Sequence, residues 1–118
     1  MTTYGQRVAA SAARNGSLLC VGLDAEPERL PTHLQSLPPA EAILAFNRAI
    51  IDATCDLVAA YKPNLAFYEA LGPAGMEAFR ATVAHVPFCI PVIADAKRGD
   101  IDKDRKSTRL NSSHEWIS

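Results

Sequence analysis

The sequence has no surplus of positive charge. Its 12 Lys and Arg stand against 13 Asp and Glu, a formal net charge of -1, so it offers no basic field for nucleic acid or an anionic membrane surface. It has no apolar run near the ~20 residues that span a bilayer. Its opening residues, MTTYGQRVAASAARNG, form a short amphipathic stretch without the apolar centre of a secretory leader. Cysteine is scarce. Cys20, Cys55 and Cys89 are odd in number and widely spaced, with no CxxC pair. That pattern suits small buried thiols in a reducing cytoplasm better than a disulfide framework or a metal site. What remains is ordinary globular material, 48% hydrophobic and 21% charged over 118 residues, enough for one modest domain with a single core.

Hydrophobic periodicity orders that material. Tyr4, Val8 and Ala12 recur at helical spacing over residues 3–14, and Asn15-Gly16 supplies a stop. SLLCVGLD, residues 17–24, is a run of strand formers that ends in Asp24. A loop punctuated by Pro27, Pro31, Pro38 and Pro39 follows. Ile43, Leu44, Phe46, Ile50, Ile51, Leu57 and Val58 then predict a long amphipathic helix from Ala40 to Ala60. YKPNLAF, residues 61–67, reads as a short extended segment around Pro63. Gly72-Pro73 opens another helix, Pro87 ends it, and IPVIADAK reads as a third strand. Helix and strand alternate, which predicts right-handed βαβ units and a parallel sheet covered by helices. Each strand carries its polar residues late: Asp24, then Lys62 with Asn64, then Asp95 with Lys97. In parallel α/β folds, ligands bind at that end of the strands.

The densest charge is in ADAKRGD, residues 94–100. Charged groups are almost never fully buried unless paired, so a strand ending in Asp95, Lys97 and Asp100 is making an ion pair or a site. Asp95 and Lys97 share strand parity and lie ~6.6 Å apart along the backbone, at a ~3.3 Å rise per residue. Gly99 lets the chain turn, so that Asp100 can leave the sheet. A lysine among carboxylates stays protonated and can give up a proton, but it makes a poor nucleophile. Spacing alone leaves three readings open: a structural ion pair, a catalytic site, or a carboxylate pair for a cation.

Several other residues have plainer readings. His33, in the proline-rich loop, and His85, near a helix end, read as surface residues, and Phe67 and Tyr68 as packing. Asn64 lies beside Lys62. Glu69 reads equally as loop structure or as support for the site. Arg98 has the opposite strand parity to Asp95 and Lys97 and reads as a surface contact.

The strings LLCVGLD, AYKPNLAFYEALG and PVIADAKRGDI, in that order, resemble the orotidine 5'-phosphate decarboxylase family, in the subfamily whose motif reads ADAKRGD. The resemblance covers about residues 1–101. It implies a (β/α)8 TIM barrel, of which this chain holds about the first three βα units, working as a homodimer without metal or organic cofactor. It implies conversion of orotidine monophosphate to uridine monophosphate and carbon dioxide in pyrimidine biosynthesis. The family's Lys-Asp-Lys-Asp array falls on Lys62, Asp95, Lys97 and Asp100. The resemblance makes Lys97 the general acid at C6 of the pyrimidine and sets Asp95 beside the substrate carboxylate. Lys62 orients Asp95 and contacts the ribose, Asp100 reaches the partner subunit's site, and Asp24 bonds a ribose hydroxyl.

The family pattern also sets expectations for what is missing. A complete barrel takes ~250 residues and grips phosphate with the loops after strands seven and eight. Residues 102–118, DKDRKSTRLNSSHEWIS, lack the amphipathic helix a third βα unit needs. They read as a non-homologous tail in which His114 and Trp116 have no site role. The chain by itself is therefore expected to be inactive. Two alternatives stand beside this reading: a magnesium-dependent sugar-phosphate decarboxylase or aldolase of the same barrel type, and a non-functional truncated product.

Overall fold

A computed structural model describes residues 3–95 of the chain. Helix α1 (Tyr4–Asn15) starts with a capping box: Thr3 Oγ1 accepts from the Gln6 N–H at 3.0 Å, and Gln6 Oε1 accepts from the Thr3 N–H at 2.9 Å. It ends where the Asn15-Gly16 stop predicts, with Gly16 left-handed at φ 59. Strand β1 (Cys20–Gly22) leads into two short 3-10 turns, Pro27–Arg29 and Thr32–Leu34.

Helix α2 (Pro39–Thr54) stops short of the predicted Ala60. The apolar residues that prolong the helical pattern belong to the sheet: Val58, Ala59, Ala60 and Tyr61 are all buried, and β2 is Ala60–Lys62. The break is satisfied from outside, because Asn15 Nδ2 donates to the carbonyls of Cys55 (3.1 Å) and Val58 (2.7 Å). The expected extended YKPNLAF also divides. Asn64 Oδ1 accepts from the Ala66 N–H at 3.0 Å and caps a short helix, α3 (Leu65–Glu69); asparagine is among the strongest caps. Helix α4 (Gly72–His85) follows as predicted, with Pro73 in its first turn.

Strands β1 and β2 are parallel, with Cys20 opposite Ala60, Val21 opposite Tyr61 and Gly22 opposite Lys62. The predicted third strand is present as two parallel bridges, Tyr61 with Val92 and Asn64 with Asp95. Pro91 contributes only a carbonyl there, accepting from the Tyr61 N–H at 3.1 Å. One face of the sheet is covered: Leu23, Tyr61 and Val92 join Ile51, Val58 and Val86 in one apolar cluster, while Leu30, Ile43, Leu65, Tyr68 and Phe79 form another. Helices α2 and α4 pack on each other over this face. At the N-terminal ends of the strands, Arg7 and Arg14 of α1 reach the carbonyls of Phe88 (3.2 Å) and Cys89 (3.4 Å).

The cysteines correct an expectation. Cys20 and Cys89 are exposed and Cys55 is half-buried, all three as free thiols. Cys20 shares strand parity with Gly22, on the face away from the helices. No helix among the described residues is long and apolar enough to cross a membrane.

Candidate active site at the strand ends

Side chains two apart along a strand share a face. The pairing therefore stacks the uncovered face in layers. Gly22 and Lys62 lie side by side in one layer. Asp24, Asn64 and Asp95 make the next, toward the C-terminal ends of all three segments. Lys62 and Asp24 are exposed, and Asn64 and Asp95 half-buried. Of the sequence-predicted site residues, Asp24, Lys62 and Asp95 thus gather at one end of the sheet. Lys97 and Asp100, with Arg98, Gly99 and the tail, lie outside the described residues.

Backbone bonds fix that layer. The Asn64 N–H donates to Asp24 Oδ1 at 2.7 Å, the short distance of a bond to a charged acceptor. The Asp95 N–H donates to the Pro63 carbonyl at 2.9 Å, and the Leu65 N–H returns to the Asp95 carbonyl at 2.8 Å. Gly22 leaves room for the carboxylate, since a Cβ there would meet Asp24 Oδ2 at 3.3 Å. One layer below Lys62 on this face, burial pushes the Cys20 thiol up, while the nearby Lys62 ammonium pulls it the other way.

The covered side adds residues that sequence reasoning undervalued. Tyr68, expected only to pack, also donates its hydroxyl to the Leu23 carbonyl at 2.5 Å and accepts from Asn47 Nδ2 at 3.0 Å. Asn47 donates to Thr82 Oγ1 as well, at 3.0 Å. All three side chains are buried. The available signal was an amide between Ile43 and Ile51 on the apolar stripe of α2. Burial pushes the Tyr68 phenol up to about 12; the Asn47 bond opposes this and the Asp24 charge adds to it. Beside Asp24 opens a cavity of about 360 Å³ lined by Glu26, Arg29, Leu30, Phe46 and Phe67. His33 is exposed as expected, but His85 is half-buried and meets Asp52 Oδ1 at 2.8 Å across α4 and α2. Among the described residues no three of His, Cys, Asp and Glu converge as a metal site.

Parallel βα units that collect carboxylates and a lysine at the C-terminal ends of their strands place the chain among the α/β folds that bind ligands at that edge. The particular branch follows from its relatives. A family model described as orotidine 5'-phosphate decarboxylase / HUMPS matches residues 17–116. The chain is 57% identical over 98 residues to the orotidine 5'-phosphate decarboxylase of Herpetosiphon aurantiacus, covering 83% of this chain and 36% of that protein. It is 54% identical over 99 residues to that of Thermomicrobium roseum, covering 84% and 34%. The solved OMP decarboxylase of Leishmania donovani superposes with a TM-score of 0.65 at 35% identity, covering 91% of this chain and 39% of that one. The chain belongs to the orotidine 5'-phosphate decarboxylase / HUMPS family. It spans about a third of the length of the curated relatives it matches.

Proposed function

We propose that this chain supplies the opening βα units of an orotidine 5'-phosphate decarboxylase, which converts orotidine monophosphate to uridine monophosphate and carbon dioxide in the cytoplasm, as a homodimer. The observation that carries the reading is the shared layer of Asp24, Asn64 and Asp95 with Lys62 beneath it. Asp24 bonds a ribose hydroxyl. Lys62 contacts the ribose and orients Asp95, which stands beside the substrate carboxylate. Asp100 completes the partner subunit's site.

The reaction breaks the bond between C6 and the carboxylate carbon and leaves the electron pair on C6. Lys97 gives its proton to that carbon and is left as a neutral amine, which solvent reprotonates. Two unit charges 4 Å apart interact by ~4 kcal/mol at an effective dielectric of 20. An anionic Asp95 therefore opposes the substrate carboxylate by a few kcal/mol, and the Lys97 ammonium favours the developing carbanion by a similar amount. Only the part of each that differs between ground and transition state accelerates the step.

A second reading is supported by the D-x-K-x-x-D spacing of residues 95–100, which magnesium-dependent sugar-phosphate enzymes of the same barrel type share. The test is turnover of orotidine monophosphate by a chain completed to the length of its relatives, with and without a chelator. Turnover that persists in chelator is expected. No turnover, or turnover lost to chelation, overturns the assignment. The 118-residue chain alone is expected to show none above background, because binding energy from the remote phosphate is needed to hold the pyrimidine against Asp95.

A further inference from the structure

We propose that Tyr68 is a positioning residue for Asp24, through a two-point clamp in which α3 holds the end of β1. Its functional meaning rests on the reading of Asp24 as the sugar contact; the clamp itself stands on geometry. Asn64 and Tyr68 are four residues apart, about one helical turn. From one end of that turn the Asn64 N–H holds the Asp24 carboxylate at 2.7 Å, and from the other the Tyr68 hydroxyl holds the Leu23 carbonyl at 2.5 Å. The Leu23 N–H already donates to the Lys62 carbonyl at 3.2 Å, which fixes residue 23 on its N-terminal side and leaves the peptide plane that leads into the exposed Asp24 to be set by its carbonyl. The Tyr68 bond to that carbonyl and the Asn64 bond to the carboxylate restrain it from both sides.

The hydroxyl is not a by-product of packing. Edge-on contact of the ring with Phe79, with centroids 5.4 Å apart, needs no oxygen, and phenylalanine would fill the same space. Instead the chain buries three polar side chains together and holds them there at a cost, since Asn47 Oδ1 is buried without a hydrogen-bond partner among the described residues. Asn47 Nδ2 donates to the phenol oxygen and, on its other side, to Thr82. With that lone pair occupied from α2, the phenol hydrogen is directed at Leu23. The Leu65 N–H bond to the Asp95 carbonyl ties the same short helix to the backbone of the second acidic residue, so α3 is bonded to the chain at both positions.

The test is nuclear magnetic resonance on the full 118-residue chain. An amide hydrogen-bonded to a carboxylate changes shift as that carboxylate takes up a proton, so the Asn64 N–H reports whether Asp24 is in place. The parent chain is expected to show this pH-dependent shift and Tyr68→Phe to lose most of it. Thr82→Val leaves the phenol intact and acts through Asn47; it is expected to reduce the shift in part, and it serves if Tyr68→Phe does not fold. Phe79→Leu loosens the ring's packing alone and should lower the urea midpoint while keeping the Asn64 signature. The clamp is overturned by a parent chain without the signature, by its persistence in Tyr68→Phe, or by equal loss in Phe79→Leu. Persistence in Thr82→Val, should Tyr68→Phe not fold, overturns it too. No nucleotide is involved, so this result and the substrate assignment are read separately.

Discussion

Gly75 of α4 lies directly against the backbone of Tyr68: a Cβ at residue 75 would collide with the Tyr68 carbonyl oxygen and come within 2.7 Å of Leu71 Cβ. In an open helix, Gly→Ala gains ~0.5–1 kcal/mol from backbone entropy. Here overpacking costs ~1–3 kcal/mol, and the obstacle is backbone, which cannot swing aside. Gly75→Ala is therefore expected to destabilise the chain, measured as a lower urea midpoint. A higher midpoint would mean that α3 and α4 part without cost.

Tyr68 gives the chain a pH dependence of definite sign. Its folded value, about 12, lies above the ordinary 10.0, so the folded chain holds the phenol proton more tightly. That stabilisation is complete below about pH 10 and is lost as pH rises through about 12, at a slope of at most ~1.4 kcal/mol per pH unit. Tyr61, also raised by burial, adds to the slope. Urea midpoints across this range should fall less steeply in Tyr68→Phe than in the parent; equal slopes would remove Tyr68 as the source.

Lys97→Ala, in a chain completed to the length of its relatives, is expected to lower turnover by orders of magnitude and to change substrate affinity much less. Its contribution is made mainly in the transition state. Steady-state kinetics with orotidine monophosphate decide it. Near-normal turnover would take the acid role from Lys97.

Asn15→Ala removes both donors that end α2, leaving the Cys55 and Val58 carbonyls without that amide. Unmet buried acceptors cost ~1–3 kcal/mol. The urea midpoint should drop accordingly while the Asn64 amide shift stays as in the parent. A change at Asn64 would show that the two ends of the sheet are coupled.

Much of this architecture was legible because its signals are local. Asn15-Gly16, Gly72-Pro73 and Pro87 punctuate the helices by backbone geometry alone. The late polar residues of each strand are enough to bring Asp24, Lys62 and Asp95 to one end of a parallel sheet. The misreadings have physical causes. Val58 to Tyr61 continue the apolar rhythm of α2 with no glycine or proline between, so only the sheet's demand for a buried strand separates them. Asn64 reads from sequence as an amide beside a lysine, although an asparagine ahead of Leu-Ala-Phe is also a cap. Residue type alone predicts buried cysteines, whereas strand parity decides that Cys20 faces away from the helices. The Tyr68 hydroxyl could not be read at all, because its partners lie 21 and 45 residues away.

Helix α1 grips the carbonyls of Cys55, Val58, Phe88 and Cys89 where the chain enters β2 and the third segment, while the carboxylates stand where it leaves them. The scaffold is thereby tied together at one edge and offers its polar groups at the other. Substitutions at Arg7, Arg14 or Asn15 therefore act at the edge where the chain enters the sheet, and the layer around Asp24 lies at the opposite edge.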